Sequence, residues 1–165
     1  MKRTQTVTLC LTAVFMALTF VVTRFIQIPI PLGYFNVGNS VILLGCVFVP
    51  LPYGIAIGGL ASALADLTSY PIYTIPTLII KSLMPLVFYG MKRIAVKSDF
   101  WKNVVAASIC TLIPLFGYTL TGCIIAGNFV AGVAQFPGLF VEYIANLIIF
   151  GILFKALNRV IKKEV

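Results

Sequence analysis

Six long apolar runs, separated by short polar connections, constrain this chain more than any other feature. Hydrophobic residues make up 61% of its 165 residues and charged residues only 10%, which is too apolar for one soluble domain. A helix needs roughly 20 apolar residues to cross a bilayer. The sequence therefore predicts a single all-α integral membrane domain over residues 1–165. The runs occupy about 5–25, 39–50, 53–68, 75–91, 103–126 and 136–157.

Three clusters of basic residues predict the orientation of the chain. The positive-inside rule assigns each cluster to the cytoplasm. An even number of crossings must separate the first two clusters, so the short run at 39–50 must also cross. The prediction is six transmembrane helices with both termini cytoplasmic. The clusters are Lys2 and Arg3, then Lys92, Arg93, Lys97 and Lys102, then Lys155, Arg159, Lys162 and Lys163. This placement explains the net charge of +8 without nucleic acid.

No motif for catalysis, metal binding or nucleotide binding is present. The four cysteines lie singly in apolar stretches and the chain has no histidine, so no metal site is expected. A Gly-x-x-x-x-Gly-Lys phosphate loop and a Gly-x-Ser-x-Gly elbow are both absent. We expect no enzyme activity and no cofactor in this chain. Any energy from ATP must come through partner subunits.

Asp66, Lys81 and Glu142 lie inside apolar runs, where ionisable residues are costly and usually functional. The predicted topology places all three in the outer half of the membrane, whereas the inner half has nothing comparable. A conduction path would need polar groups through the full depth. The pattern favours a pocket that opens to the outside.

One cation, two carboxylates, several amides and flanking tyrosines suit a small polar heteroaromatic ligand. The candidate binding residues are Asn36, Asn39, Asp66, Tyr70, Lys81, Glu142 and Asn146. Other roles stay open for some of them. Asp66 and Lys81 could form a structural ion pair, which would leave Glu142 without an evident basic partner. Tyr70 could be an interfacial residue, and Asn146 could hydrogen-bond a neighbouring helix.

Small residues provide a second pattern. Gly54, Gly58 and Ser62 recur at a spacing of four and lead to Asp66, which indicates a close helix contact ending at the charged site. Ala13 and Ala17 form a small-x-x-x-small face on the first helix, which allows another helix to approach closely.

The chain resembles the substrate-binding S components of energy-coupling factor (ECF) vitamin transporters, in the riboflavin, hydroxymethylpyrimidine and pyridoxine branch. The resemblance covers nearly the whole chain. It rests on Gly33-Tyr34-Phe35-Asn36-Val37-Gly38-Asn39, on Gly58-Gly59 through Asp66, on Pro76-Thr77-Leu78-Ile79-Ile80-Lys81, and on Pro137-Gly138 followed by Asn146. Asn39 departs from the pattern, since many relatives are expected to have an aspartate there.

The resemblance implies a subunit that captures a vitamin or precursor outside a prokaryotic plasma membrane. Its implied partners are a transmembrane coupling (T) subunit, docked on the Ala13 and Ala17 face, and two ATP-binding subunits. The expected ligand is pyridoxine or hydroxymethylpyrimidine, with riboflavin or folate as alternatives. A self-contained small-solute carrier and an assembly subunit without a ligand are two other readings of the sequence.

Overall fold

The computed structural model describes residues 5–92 and 99–161. The basic residues Lys2, Arg3, Arg93, Lys97, Lys162 and Lys163 and the side chain of Arg159 lie outside the described part. These residues include much of each basic cluster that predicted the orientation. The cytoplasmic placement of both termini therefore stays a prediction.

Helices make up most of the described chain. Among the described residues, five segments are long and apolar enough to cross a membrane: Gln5–Phe25, Leu51–Ser69, Pro71–Met91, Phe100–Ala126 and Phe129–Leu157. Gly38–Phe48 is also apolar but has only 11 residues, or ~16 Å of helix, against a bilayer core of about 30 Å. The predicted count of six spans therefore stays a prediction. The individual helices are α1 (Gln5–Phe25), α2 (Gly38–Phe48), α3 (Leu51–Ile55), α4 (Ala61–Ser69), α5 (Thr74–Met91), α6 (Asp99–Ala126), α7 (Phe129–Val133) and α8 (Phe136–Ile161).

The chain is predominantly helical, as predicted, with one short exception in the connection after α1. Strands β1 (Ile28–Ile30) and β2 (Gly33–Phe35) form an antiparallel hairpin in which Pro29 lies opposite Tyr34. Proline cannot donate to a sheet, but it is tolerated in an edge strand such as β1. The proline-rich sequence after α1 thus forms a short hairpin over residues 28–35.

The second long segment, Leu51–Ser69, is not a uniform α-helix. A π-helical stretch, Ala56–Leu60, joins α3 to α4 and contains Gly58 and Gly59. A 3₁₀ turn, Pro71–Tyr73, then leads into α5, which contains Pro85 in its interior. The π-helical stretch and Pro85 lie next to each other where this segment packs on α5, because Pro85 is a neighbour of both Gly54 and Gly58.

The two ends of the helix bundle differ in polarity. The end where α2 terminates is filled by a buried apolar cluster that includes Cys46, Met84, Phe88 and Phe150. The end where α2 begins instead buries polar and charged side chains. Alternating helix directions bring these polar residues together, as expected from the topology. They include Thr23, Asn36, Asn39, Asp66, Thr77, Lys81, Gln135, Glu142 and Asn146.

Helix α1 packs on the bundle through a row of threonines. Its buried residues are Thr8, Thr12, Thr19 and Thr23. Ala13 and Ala17 are exposed in this single chain. The small-residue face predicted from the sequence is therefore not used for packing within the described bundle.

Candidate functional site

A cavity of about 420 Å³, part of it open to solvent, lies at the polar end of the bundle. The β1–β2 hairpin and helices α1, α4, α5, α6 and α8 all contribute to its wall. The lining residues are Thr23, Ile30, Gly33, Tyr34, Asn36, Asp66, Tyr73, Thr77, Lys81, Tyr118, Gln135, Leu139 and Glu142.

Lys81 of α5 is the buried cation of the cavity wall, with 1% of its surface exposed. Its ammonium donates a hydrogen bond to Asn39 Oδ1 and lies 4.0 Å from Glu142 Oε1. Asn39 Nδ2 in turn donates to Glu142 Oε1 over 2.8 Å. The amide of Asn39 thus bridges the two charges, and three helices meet at this contact. Lys81 Nζ also lies 5.5 Å from the ring centroid of Tyr118, which is within cation–π range.

The alternative that Asp66 and Lys81 form an ion pair is wrong, because the ammonium of Lys81 pairs with Glu142 Oε1 at 4.0 Å. Asp66 accepts hydrogen bonds from the hydroxyls of Tyr34 and Thr77 instead. Which carboxylate meets Lys81 depends on how α5 and α8 are rotated about their axes. Sequence spacing alone does not fix that rotation. Glu142, which had no evident basic partner in the sequence, is the acid that compensates the lysine.

Tyr34 connects the hairpin to the charged residues. It lies in β2 and is half-buried, and its hydroxyl donates to Asp66 Oδ1. Burial, followed by the nearby negative charge of Asp66, raises the pKa of the Tyr34 hydroxyl well above its ordinary value of 10.0. The hydroxyl therefore stays a hydrogen-bond donor at physiological pH.

Tyrosines form the aromatic side of the cavity. Tyr73 donates its hydroxyl to the carbonyl of Leu32 in the hairpin turn over 2.7 Å. The rings of Tyr73 and Tyr118 lie 6.2 Å apart and nearly edge to face. The Tyr118 hydroxyl is 2.9 Å from Thr77 Oγ1, and Gln135 Nε2 donates to the Tyr118 carbonyl over 2.8 Å.

Four of the seven residues proposed from the sequence line the cavity: Asn36, Asp66, Lys81 and Glu142. Asn39 lies directly behind the wall, where it orients Lys81 and Glu142. Tyr70 is 38% exposed, and its ring lies 5.2 Å from that of Tyr34. It is a neighbour of the cavity wall.

Asn146 does not line the cavity. It accepts from the Ser40 backbone N–H over 2.8 Å and donates to the carbonyls of Asn36 and Glu142 over 2.9 Å. These contacts use both of its amide protons and fix the start of α2 against α8. Its open alternative, a helix–helix hydrogen bond, is the role that the structure gives it.

Several lining residues were not among the seven. Tyr34, Tyr73, Thr77 and Gln135 are polar residues at the same predicted depth, so depth alone could have included them. The same criterion could have found Tyr118, which lies about two turns before the end of α6. Thr23, Ile30, Gly33 and Leu139 carry no comparable signal in the sequence.

The arrangement is suited to reversible binding of a polar ring. The described residues contain no cluster of three metal-ligating side chains of the His, Cys, Asp or Glu type. The cavity instead combines charged groups, hydroxyls and an amide with tyrosine rings. Such surroundings can stack a planar ligand and read the donors and acceptors on its edge.

Comparison with known proteins identifies the family. The family model described as "ECF-type riboflavin transporter, S component" matches residues 3–159. The chain belongs to this family. It is also similar to a protein of Pyrococcus woesei described as an uncharacterized protein in the gap 3' region. The two are 30% identical over 148 residues, which is 88% of this chain and 95% of the other.

The fold matches a solved structure described as "Structure and mechanism of the S component of a bacterial ECF transporter". The TM-score is 0.73, with 18% identity over 96% of this chain and 99% of the other. This likeness supports the fold alone. The predicted membership of the S components, inferred from motifs such as the one ending at Asn39, is confirmed by the family model.

Proposed function

We propose that this ECF S component captures a ring-containing vitamin or vitamin precursor in the cavity beside Lys81. The observation that carries the proposal is the concentration of buried polar groups at one end of the bundle, around a cavity of about 420 Å³. The opposite end is filled by the apolar cluster around Met84 and Phe88. A blind cavity of this kind suits capture by a receptor and does not suit conduction by a channel.

Riboflavin is the first ligand to test, because it is the vitamin in the description of the matching family. Its ring system could stack beside Tyr73 and Tyr118, with polar ring edges facing Lys81 and Glu142. Binding of a planar ring between such groups combines apolar burial with hydrogen bonds that fix its orientation.

Pyridoxine and hydroxymethylpyrimidine form a second ligand class, favoured by the ionic lining of the cavity. Asp66 receives only hydroxyl donors among the contacts of the described residues within hydrogen-bond distance. A small ring with a basic nitrogen or an amino group could supply a positively polarised donor to it. Folate fits less well, because its glutamate tail would require more cations near the cavity than Lys81.

We propose that partner subunits, and not this chain, carry out the ATP-dependent step of vitamin import. We propose a T subunit that docks on the exposed Ala13 and Ala17 face of α1, together with two ATP-binding subunits, in a prokaryotic plasma membrane. The chain offers an unpacked small-residue face for such a contact, where small residues let two helices approach closely.

Titration of the purified protein in detergent with riboflavin, pyridoxine, hydroxymethylpyrimidine and folate tests the proposal. We expect saturable one-to-one binding of one ring vitamin without ATP or partner subunits. Binding of none of them would reject the receptor function. Reconstitution of the chain alone in liposomes separates the alternative of a self-contained carrier, which predicts uptake without partners.

A further inference from the structure

Gly58 lies against α5 at a point where the backbone of Lys81 leaves no space for a side chain. A Cβ atom placed on Gly58 would lie 2.5 Å from the Lys81 carbonyl oxygen. It would also lie 3.2 Å from Ile42 Cγ2 and 3.3 Å from Pro85 Cγ. A backbone carbonyl in a helix cannot rotate away as a side chain can. Residue 58 must therefore lack a side chain for α5 to lie this close.

Pro85 explains why the Lys81 carbonyl can be packed in this way. It lies four residues after Lys81 within α5, and proline has no N–H to donate to the carbonyl of residue i−4. The helix therefore provides no i+4 partner for this oxygen. Gly58 packs against this oxygen, and a Cβ atom placed on Gly58 would also lie 3.3 Å from Pro85 Cγ.

The π-helical stretch Ala56–Leu60 brings two successive glycines to α5. A Cβ atom on Gly59 would meet Ser82 Oγ first and would lie 3.3 Å from the Leu78 carbonyl oxygen, one turn from Lys81. A π-helical stretch adds a residue to a turn and is frequent at functional sites. In this chain it presents Gly58 and Gly59 to the part of α5 that carries the buried cation.

The side chain of Lys81 reaches from this backbone contact to the cavity. At its far end the ammonium meets Asn39 and lies 4.0 Å from Glu142. Because the side chain is almost fully buried, it has little free space in which to change its conformation when its backbone moves. A shift of α5 away from the π-helical stretch would move the ammonium away from the position where it meets the ligand.

We propose that Gly58 and Pro85 are positioning residues that set the depth of the Lys81 ammonium in the cavity and thereby the affinity for the ligand. This inference rests on the proposed function. It assigns a binding role to two residues that do not line the cavity and that act through Lys81.

The test compares Gly58→Ala with Gly54→Ala, one turn earlier on the same face. A Cβ atom on Gly54 would not meet the α5 backbone; it would meet only side-chain atoms, Cys46 Sγ at 3.1 Å, Tyr89 Cε2 at 3.3 Å and, in ordinary contact, Pro85 Cβ at 3.4 Å. We expect Gly58→Ala to weaken riboflavin binding about tenfold, or binding of whichever vitamin the wild type takes. Gly54→Ala should bind within about twofold of the wild type. Equal losses in the two variants would overturn the inference, because they would indicate general packing.

A double-mutant cycle tests whether Gly58 acts through Lys81. In a Lys81→Gln background, Gly58→Ala should cause no further loss of affinity, since the ammonium that it displaces is gone. A full additional loss would overturn the inference. If Lys81→Gln binds too weakly to be measured, the comparison of Gly58→Ala with Gly54→Ala decides alone.

Pro85→Ala provides a variant that should fold even if Gly58→Ala does not. It returns an N–H to α5, so helix stability should rise while affinity falls several-fold. Unchanged affinity in Pro85→Ala would overturn its positioning role. Failure of the wild type to bind any vitamin would reject the proposed function and not the packing argument.

Discussion

Lys81 Nζ on α5 lies 4.0 Å from Glu142 Oε1 on α8, and the side chain of Asn39 in α2 hydrogen-bonds to both. Each of the three residues comes from a different helix, so their contact requires that the helices be correctly packed. A buried ion pair is stabilising only when additional hydrogen bonds satisfy its members. Asn39 supplies these bonds and leaves the remaining polar edges of Lys81 and Glu142 at the cavity wall.

Removal of one member of this pair should destabilise the fold more than removal of both. Lys81→Met leaves the buried Glu142 carboxylate without its cation, and Glu142→Gln leaves the ammonium without its anion. Each should cost about 3–5 kcal/mol. The double variant should lose much less than the sum of the two single losses. Thermal unfolding in detergent measures all three, and additive losses would show that the two residues do not form a pair.

Asn39→Asp should disturb the same contact although it changes only one amide to a carboxylate. The variant keeps an acceptor for Lys81 but replaces the donor to Glu142 by a second negative charge. We expect a loss of about 1–3 kcal/mol in the free energy of unfolding. A second substitution, Glu142→Gln, should recover much of it, and a lack of recovery would contradict the bridging role of Asn39.

The pH dependence of stability should report the Tyr34 hydroxyl. Its pKa is raised in the folded protein by burial and by Asp66, from an ordinary value of 10.0. The folded state then holds the proton after the unfolded state has released it. The contribution of Tyr34 to stability is therefore fully present below about pH 10 and falls as pH rises above it. Tyr34→Phe should show a smaller fall in melting temperature between about pH 10 and 12, the range above the ordinary pKa of tyrosine. Identical pH profiles would contradict this account.

The exposed face of α1 should matter for assembly and not for ligand binding. Ala13→Trp adds a large ring to a face that is exposed in the described bundle. We expect loss of co-purification with the T and ATP-binding subunits, with vitamin affinity unchanged. Val14→Trp, on an adjacent exposed position, is the matched control and should keep the complex. Loss of ligand binding in Ala13→Trp would indicate that this face packs inside the bundle.

Much of the fold follows directly from the sequence. Apolar runs locate the helices because each must shield its backbone from lipid by internal hydrogen bonds. Alternating directions then explain why Asp66, Lys81 and Glu142 meet at one end of the bundle. The hairpin at 28–35 could not be found in this way, since its strands have three residues each and β1 contains a proline.

The details of the site depend on helix rotation and register, which composition does not set. The sequence placed Lys81 near two carboxylates but could not show that Glu142 and not Asp66 lies beside it. It likewise could not show that Asn146 uses its amide to hold α2 to α8. The predicted membrane depth of Tyr118 could have identified it as a candidate. Leu139 and Thr23, in contrast, become part of the cavity wall only through the packing of α8 and α1.

The most direct test of a vitamin site beside Lys81 is a titration that compares the wild type, Lys81→Met and Lys92→Met. Lys92 is a matched control, because its ammonium donates to the Cys46 carbonyl over 2.9 Å at the opposite end of α2. We predict one-to-one binding of a ring vitamin by the wild type and by Lys92→Met, and at least about tenfold weaker binding by folded Lys81→Met. Equal affinities for Lys81→Met and the wild type, or no binding of any vitamin by the wild type, would contradict the account.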